Sequence, residues 1–339
     1  MTKTSTRRLM VSLLVAAVPV ALVAAGLFAN AKTTTTSAQP KKIAIGMVAK
    51  SQSNAVFQAA HAGALAAAKE LGAKYNADVS IDWQTPADED AQKQAQAIEA
   101  LTGAGVAGIA VSCSEARTLT QAIDKAARRN IPVICFDSDA PRSKRFAYYG
   151  TDDASCGRSV MSELAKAMGE KGTIAILAGN QSAPNLQARV QGVKDELKKY
   201  PNMKLLEAGG GVFYHQETPE KAAEAVQAAQ NANPQIQGWA MVGGWPLFTA
   251  NALPWPPGQI KVVAVDALPA QLPYLKSGHV EVLLAQDCYG WGYRSVELLL
   301  EKIVNGKDPA SQRVIDPLTR VTKDNADEYA RKWDKWLGR

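Results

Sequence analysis

Polar side chains stand directly after many of the short apolar segments of this 339-residue sequence. Asp137, Asp266 and Gln286 each end such a segment, and Arg189 stands on the helical segment that follows another. Carboxylates accept hydrogen bonds from hydroxyl groups, a guanidinium group donates in a fixed fork, and carboxamides do both. Aromatic rings can add the apolar contact that most ligand pockets provide. The mixture predicts a site for a small polyhydroxylated ligand such as a sugar. Its predicted residues are Asn54, Phe57, Ser112, Asp137, Ser138, Asn185, Arg189, Trp245, Asp266 and Gln286.

The same aspartates allow two other interpretations. A single aspartate after a strand is often a helix N-cap, and at any one position the cap is the simpler interpretation. A pair of carboxylates in one cleft is also what glycoside hydrolysis requires, and Asp137 could pair with Asp266 or with Asp139. Because the whole set of polar residues suits hydroxyl binding, we interpret it as a binding site.

Sequence motifs for catalysis are absent. No G-x-x-x-x-G-K-[ST] occurs, and no G-x-G-x-x-G stands directly after the first apolar segment, so no phosphate-binding loop is indicated. No G-x-S-x-G or H-E-x-x-H occurs, and the three histidines, His61, His215 and His279, lie far apart. We therefore predict a protein that is not an enzyme and that uses no cofactor and no metal.

The polar residues must be positioned by a regular alternation of short apolar strands and alanine-rich helices. Continuous apolar strands alternating with helices predict parallel sheets covered on both faces. The alternation runs through two cycles, so we predict two doubly wound α/β lobes with ligand residues at the carboxyl ends of the strands. The predicted strands are 43–49, 79–83, 106–112, 132–137, 173–178, 204–208, 238–242, 261–266 and 280–286. The predicted helices are 55–71, 88–101, 116–129, 154–168, 186–199 and 219–232.

The N-terminus predicts export. Lys3, Arg7 and Arg8 precede an apolar stretch, and residues 29–31 form an A-x-A exit, which together are typical of a cleavable signal peptide over residues 1–31. A retained membrane anchor is the alternative, because about 20 apolar residues can span a bilayer. Residues 32–40 are polar and predict a short tether. The expected location is the periplasm.

The net charge and the spacing of the cysteines argue against two further classes of protein, those that bind nucleic acid and those that hold zinc. The formal charge of +6 falls to +3 without the signal peptide, and lysine and arginine form no dense cluster, which argues against nucleic acid as a partner. The four cysteines have no C-x-x-C spacing, so a zinc site is not indicated. Disulfides between Cys113 and Cys135 or between Cys156 and Cys288 are possible in an oxidising compartment, and buried free thiols are the alternative.

From residue 41 onward the chain resembles the periplasmic sugar-binding proteins of the ribose-binding type, whose fold also forms the ligand domain of the lactose-repressor family. The most specific stretch is 130–133 leading into Phe136-Asp137-Ser138-Asp139. Residues 43–46, 105–109, 149–152, 262–266 and 285–286 match in the same order. The resemblance implies a type I periplasmic-binding-protein fold in which two lobes are joined by a three-segment hinge that closes on the ligand. It implies an N-terminal lobe of 41–151 plus 287–316 and a C-terminal lobe of 152–286 plus 317–339.

The resemblance also implies a role and partners. It implies capture of a small-molecule ligand, a sugar or polyol, by a monomer that delivers it to an ABC transporter permease. A ligand-sensing module for a chemoreceptor or sensor kinase is the alternative. Asp137 and Arg189 are implied to hold vicinal hydroxyls from opposite lobes.

Three departures from the ribose-type pattern leave the sugar open. Ser138 stands where the pattern has arginine, Val56 where it has an aromatic residue, and 243–244 are glycines where it has Asn-Asp. Trp245, Phe213 and Tyr214 are the aromatic residues that could supply a replacement stacking surface. Ribose itself is therefore not indicated.

Overall fold

The computed structural model describes residues 40–337. The predicted signal peptide and all but the last residue of the predicted tether lie outside the described residues, and so do residues 338–339. Within residues 40–337, no helix is both long enough and apolar enough to cross a membrane.

Thirteen strands occur in residues 40–337. They are β1 (Lys41–Val48), β2 (Ala77–Trp83), β3 (Gly108–Val111), β4 (Val133–Phe136), β5 (Ala147–Gly150), β6 (Gly172–Ala178), β7 (Met203–Leu205), β8 (Val212–Tyr214), β9 (Gly238–Met241), β10 (Lys261–Val265), β11 (Val282–Ala285), β12 (Arg313–Ile315) and β13 (Thr319–Val321).

Nine α-helices lie in the same range. They are α1 (Ala55–Lys74), α2 (Ala91–Ala104), α3 (Ala116–Arg128), α4 (Asp153–Met168), α5 (Pro184–Leu197), α6 (Pro219–Ala232), α7 (Leu272–Ser277), α8 (Cys288–Asn305) and α9 (Ala326–Trp336). Two 3₁₀ helices add Ala208–Gly211 and Trp245–Phe248.

The strands form two sheets. The first has the order β12-β5-β4-β3-β1-β2, and every neighbouring pair in it is parallel. The second has the order β13-β11-β10-β9-β6-β7 with β8 also paired to β6, and only β13 runs antiparallel. Strand order reverses around β1 and β6, as in doubly wound sheets. The predicted α/β class with two parallel sheets is confirmed.

The central strands are apolar throughout because helices cover both faces of each sheet. All four residues of β3, β4, β9 and β11 are buried. Helix ends follow from local chemistry: Asp90 caps α2 through its side chain, and Gly105 ends that helix in the left-handed conformation. A side-chain N-cap of this kind stabilises a helix by about 1 kcal/mol.

Some predicted boundaries are wrong. The segment 204–208 is predicted to be one strand, but β7 ends at Leu205 and the segment finishes in the first residue of the 3₁₀ helix Ala208–Gly211. β5, β8, β12 and β13 were not predicted as strands. The chain passes from the first sheet to the second between β12 and β13.

The four cysteines are buried free thiols. Cys113 Sγ lies 4.0 Å from Cys135 Sγ, across neighbouring strands, and this is contact rather than a bond. Burial raises the pKa of Cys156 to about 12, so this thiol is protonated and unreactive at neutral pH.

Candidate functional site

A small cavity lies where the carboxyl ends of the two sheets face each other. Its volume is about 30 Å³, so the side chains around it are nearly in contact with one another. Eight of the ten predicted site residues line it. The full lining is Lys50, Asn54, Val56, Phe57, Asp137, Asn185, Leu186, Arg189, Glu217, Gly243, Trp245, Asp266, Gln286 and Trp291.

Asp137 and Asp266 are placed by the ends of β4 and β10. Each is buried, at 5% and 7% exposure, and each has a positive φ, 55° and 69°. A non-glycine residue in this region costs on the order of 1 kcal/mol and persists where its surroundings fix it. The left-handed turn directs each carboxylate out of its strand and into the cavity.

Arg189, Gln286 and Asp266 form a continuous hydrogen-bonded chain. Arg189 Nη2 donates to Gln286 Oε1 at 2.7 Å, and Gln286 Nε2 donates to Asp266 Oδ1 at 2.8 Å. Thr151 Oγ1 also donates to Gln286 Oε1, at 2.9 Å. The carboxamide of Gln286 is therefore fixed in one orientation, and it fixes Asp266 in turn.

Arg189 is held from behind by two further acceptors. Its Nε donates to Asp153 Oδ1 at 2.9 Å, and its Nη1 donates to the carbonyl of Val242 at 3.1 Å. Burial lowers the pKa of Arg189, but the neighbouring carboxylates more than offset this, so its net pKa is raised and the guanidinium stays charged. Burial raises the pKa of Asp153 to about 6, against the opposing effect of Arg189.

The helix pair α4 and α5 positions Arg189. Gly157 on α4 and Gly192 on α5 let the two backbones touch: a Cβ at Gly157 would lie 1.9 Å from the Arg189 carbonyl oxygen. A Cβ at Gly192 would lie 2.2 Å from the carbonyl oxygen of Ala154. Any side chain at these positions pushes α5, and Arg189 with it, away from α4.

Asn54 and Asn185 serve both structure and cavity. Asn54 Oδ1 accepts from the Val56 amide at 3.1 Å and so caps α1, and among residues 40–337 its amide hydrogens have no acceptor. Asn185 Nδ2 donates to Asp137 Oδ1 at 3.4 Å, while its Oδ1 accepts from Lys50 Nζ at 3.4 Å. Because both donor–acceptor distances are long, these two hydrogen bonds are weak.

Three aromatic residues, Phe57, Trp245 and Trp291, belong to the apolar part of the lining. Phe57 was predicted, and its ring centroid lies 6.1 Å from that of Trp291, with an interplanar angle of 37°. The ring of Trp245 covers Gly243, where a Cβ would lie 2.1 Å from the indole. The departure to glycine at position 243 is thus what makes room for Trp245. Phe213 and Tyr214, the other aromatic candidates, do not line the cavity.

Two of the ten predicted site residues, Ser112 and Ser138, lie elsewhere, and so does Asp139. Ser112 is behind Asp137, where its Oγ donates to Asp137 Oδ2 at 2.7 Å. Ser138 is fully buried, and its hydroxyl has no partner among the described residues. Asp139, the alternative partner in a carboxylate pair, is bound by Arg145 and does not line the cavity. Asp139 is therefore excluded as a second carboxylate of this site.

Sequence reasoning missed Lys50, Glu217 and Trp291. Lys50 directly follows the first predicted strand, so the strand-end criterion that selected Asp137 would also have found it. Trp291 lies one helical turn after Asp287, the residue that caps α8. Glu217 stands in a loop before α6, where no spacing marks it. Among residues 40–337, no cluster of three or more metal-ligating side chains occurs.

Two parallel sheets whose carboxyl ends enclose a polar, aromatic-lined cavity define a two-lobed class of ligand-binding proteins. The comparisons identify the family within that class. Residues 45–308 match the periplasmic binding protein domain family, and the chain belongs to this family. The predicted type of protein, a binding protein rather than an enzyme, is confirmed.

Proteins similar to this chain include binding proteins for sugars and for a polyol. The chain is 25% identical over 297 residues to the D-ribose/D-allose-binding protein of Pseudomonas aeruginosa, covering 84% of this chain and 90% of that one. It is 25% identical to the xylitol-binding protein of Mycolicibacterium smegmatis, and the match covers 74% of this chain and 70% of that protein. The fold is similar to that of a carbohydrate transporter solute-binding protein from Agrobacterium radiobacter, which was solved in complex with D-arabinose. The TM-score is 0.77 and the identity 26%, and the match covers 86% of this chain and 98% of that one.

Proposed function

We propose that this protein captures an uncharged monosaccharide or a polyol between its two lobes and delivers it to the permease of an ABC transporter. The observation that carries the proposal is the series of side-chain hydrogen bonds from Arg189 through Gln286 to Asp266. These side chains line the same cavity as Asp137. Fixed donors and acceptors at the carboxyl ends of two sheets, beside aromatic faces, suit a compact ligand with several hydroxyl groups.

The proposed ligand class is supported by the ligands of proteins that are similar to this chain. Two of them are named as binding D-ribose or D-allose and xylitol, and two were solved in complex with D-arabinose. All four of these compounds are uncharged and carry several adjacent hydroxyl groups. We propose that Asn54, Phe57, Asp137, Asn185, Arg189, Trp245, Asp266 and Gln286 contact the ligand, with Ser112 holding Asp137 in place.

Ligand entry requires the lobes to separate, because a cavity of about 30 Å³ is too small to admit a sugar. We propose the predicted lobes, 41–151 plus 287–316 and 152–286 plus 317–339. The chain then crosses between lobes after β5, after β11 and after β12, which makes a three-segment hinge. Three short crossings allow rotation of the lobes as rigid bodies.

We also propose that the protein is exported as a monomer with a cleaved signal peptide, and that a chemoreceptor is the alternative partner to the permease. Mass spectrometry of the exported protein tests the cleavage. A chain that begins after residue 31 supports export with cleavage, and an intact N-terminus contradicts it.

A thermal-shift screen of residues 32–339 tests the ligand class. The panel contains D-ribose, D-allose, D-arabinose and xylitol, with a charged sugar acid as a comparison. A ligand that binds only the folded state stabilises it by about 2.7 kcal/mol at a hundredfold excess over Kd. We expect a raised melting temperature with at least one uncharged compound. No shift with any of them would contradict the proposal.

A further inference from the structure

A second, larger opening adjoins the cavity at Glu217. It is a groove of about 760 Å³ with polar walls, which include Ser51, Glu89 and Asn180. Glu217 is the residue that lines both the groove and the inner cavity. It therefore stands at the boundary between the two spaces, where it meets a ligand that enters from the groove.

The carboxylate of Glu217 is held in place by the end of β6. The backbone amide of Asn180 donates to Glu217 Oε1 at 3.0 Å. The side chain also lies directly over Gly179, where a Cβ would be 2.7 Å from both Cγ and Oε1 of Glu217. Glycine at position 179 is what allows this approach. The second carboxylate oxygen, Oε2, makes no hydrogen bond among the described residues.

Lys50 reaches the cavity from the first sheet and is only 3% exposed. An ammonium group has three donors. Among the described residues, the only hydrogen bond from Lys50 Nζ is the 3.4 Å contact to Asn185 Oδ1. Arg189, the other cation in the lining, has three protein acceptors. Lys50 is therefore the buried cation whose hydrogen-bonding capacity the protein leaves largely unused.

Charge explains why Lys50 tolerates burial. Burial lowers its pKa, but the carboxylates of Glu217, Asp137 and Glu89 more than offset this effect, so its net pKa is raised and the ammonium remains charged. Burial raises the pKa of Glu217 to about 7, while the charge of Lys50 opposes that shift. The two groups depend on each other although they come from different sheets.

We propose that Lys50 and Glu217 are specificity-determining ligand contacts: Lys50 donates to a ligand oxygen from the first lobe, and Glu217 accepts from a ligand hydroxyl from the second. This inference rests on the proposed function and extends its site by two residues. Because the pKa of Glu217 is about 7, the pair adds no net charge only above neutral pH, where this carboxyl is ionised. The ionisable lining then holds two cations, Lys50 and Arg189, against three carboxylates, so a ligand that carries its own carboxylate is disfavoured.

The test is isothermal titration calorimetry of the mature wild type and variants. The probes are D-ribose, D-allose, D-arabinose, xylitol and D-ribonate, the carboxylate derived from D-ribose. The variants are Lys50→Met and Glu217→Gln, which keep side-chain size and remove charge. The matched controls are Lys69→Met and Glu220→Gln, both at exposed positions of neighbouring helices. Lys50→Gln, which retains a donor, serves as a second variant if Lys50→Met does not fold.

We expect each site variant to weaken the best-bound uncharged probe at least tenfold, with the controls within twofold of wild type. The ratio of dissociation constants among the probes should also change, because the two groups contact particular ligand oxygens. D-Ribonate should bind wild type at least tenfold more weakly than D-ribose.

Other outcomes overturn the inference in distinguishable ways. If wild type binds an uncharged probe and the site variants stay within twofold, Lys50 and Glu217 are not ligand contacts and the proposed function stands. If the site variants bind every probe more weakly by the same factor, the ratios of dissociation constants stay unchanged. This result would assign Lys50 and Glu217 to contact between the lobes and contradict a role in specificity. If wild type binds none of the uncharged probes, the proposed function fails and this inference fails with it.

Discussion

Asp137 and Asp266 occupy matching positions in the two sheets. Each directly follows a buried strand, each adopts a positive φ, and each presents its carboxylate to the same cavity. Their partners differ: Ser112 donates to Asp137, whereas Gln286 donates to Asp266. The two lobes thus use one backbone device to bring carboxylates together from opposite sides.

Replacement of either aspartate by asparagine should weaken ligand binding. Asparagine tolerates positive φ, so the turn is kept while the charge is lost. A hydrogen bond to a charged group contributes about 1.5–3 kcal/mol, which corresponds to roughly tenfold to 150-fold in affinity. Titration calorimetry of Asp137→Asn and Asp266→Asn should show losses in that range. Asp78→Asn, on the exposed surface, is the control, and equal affinity in all three variants would count against the site.

Removal of Arg189 should affect stability as well as binding. Arg189→Met leaves Asp153 buried without its cation, and breaking a buried pair in this way costs about 3–5 kcal/mol. Urea unfolding should show a loss of that order. The double variant Arg189→Met/Asp153→Asn should recover part of it, because the unpaired charge is gone. A double variant no more stable than Arg189→Met would contradict the assigned ion pair.

The contact between α4 and α5 predicts a severe effect from one methyl group. Gly157→Ala places a Cβ against the Arg189 backbone, and overpacking of this kind typically costs about 1–3 kcal/mol. Gly103→Ala, in α2, meets nothing within 4 Å and should be neutral or stabilising by about 0.5–1 kcal/mol. Chemical denaturation of both variants checks the contrast. Similar stability of the two would show that the helices have room to separate.

The raised pKa of Asp153 gives stability a defined pH dependence. The folded protein binds this proton more tightly than the unfolded chain does, since the carboxyl titrates near 3.8 when unfolded and near 6 when folded. The Asp153 contribution is therefore present below pH 4 and is lost as the pH rises to about 6.

Unfolding free energies of wild type and Asp153→Asn should be compared between pH 4 and pH 6. The advantage of wild type over the variant should shrink by on the order of 2 kcal/mol across this range. A constant difference would mean that Asp153 has an ordinary pKa in the folded protein.

The alternation of strands and helices could be predicted because buried parallel strands are continuous apolar runs. β3, β4 and β9 follow that pattern, and the aspartate after β4 marks the site. β5 and β12 could not be predicted, because the two tyrosines of β5 and the arginine of β12 interrupt the apolar run, and both strands depend on their neighbours in the sheet.

The site was predictable where one strand end determines a side chain, as at Asp137 and Gln286. It was not predictable where packing decides. Ser138 follows Asp137 directly, yet its neighbour's left-handed turn leaves it buried behind the cavity. Glu217 reaches the cavity because Gly179, which directly follows β6 and is distant in sequence, gives it space.

The most direct test of the central claim is calorimetric titration of the mature protein with the sugar or polyol that gives the largest thermal shift, followed by chemical analysis of the bound compound. We expect one ligand per chain, recovered unchanged, with binding weakened at least tenfold in Asp137→Asn. Absence of saturable binding, or recovery of a chemically altered compound, would contradict the account of a two-lobed sugar-binding protein.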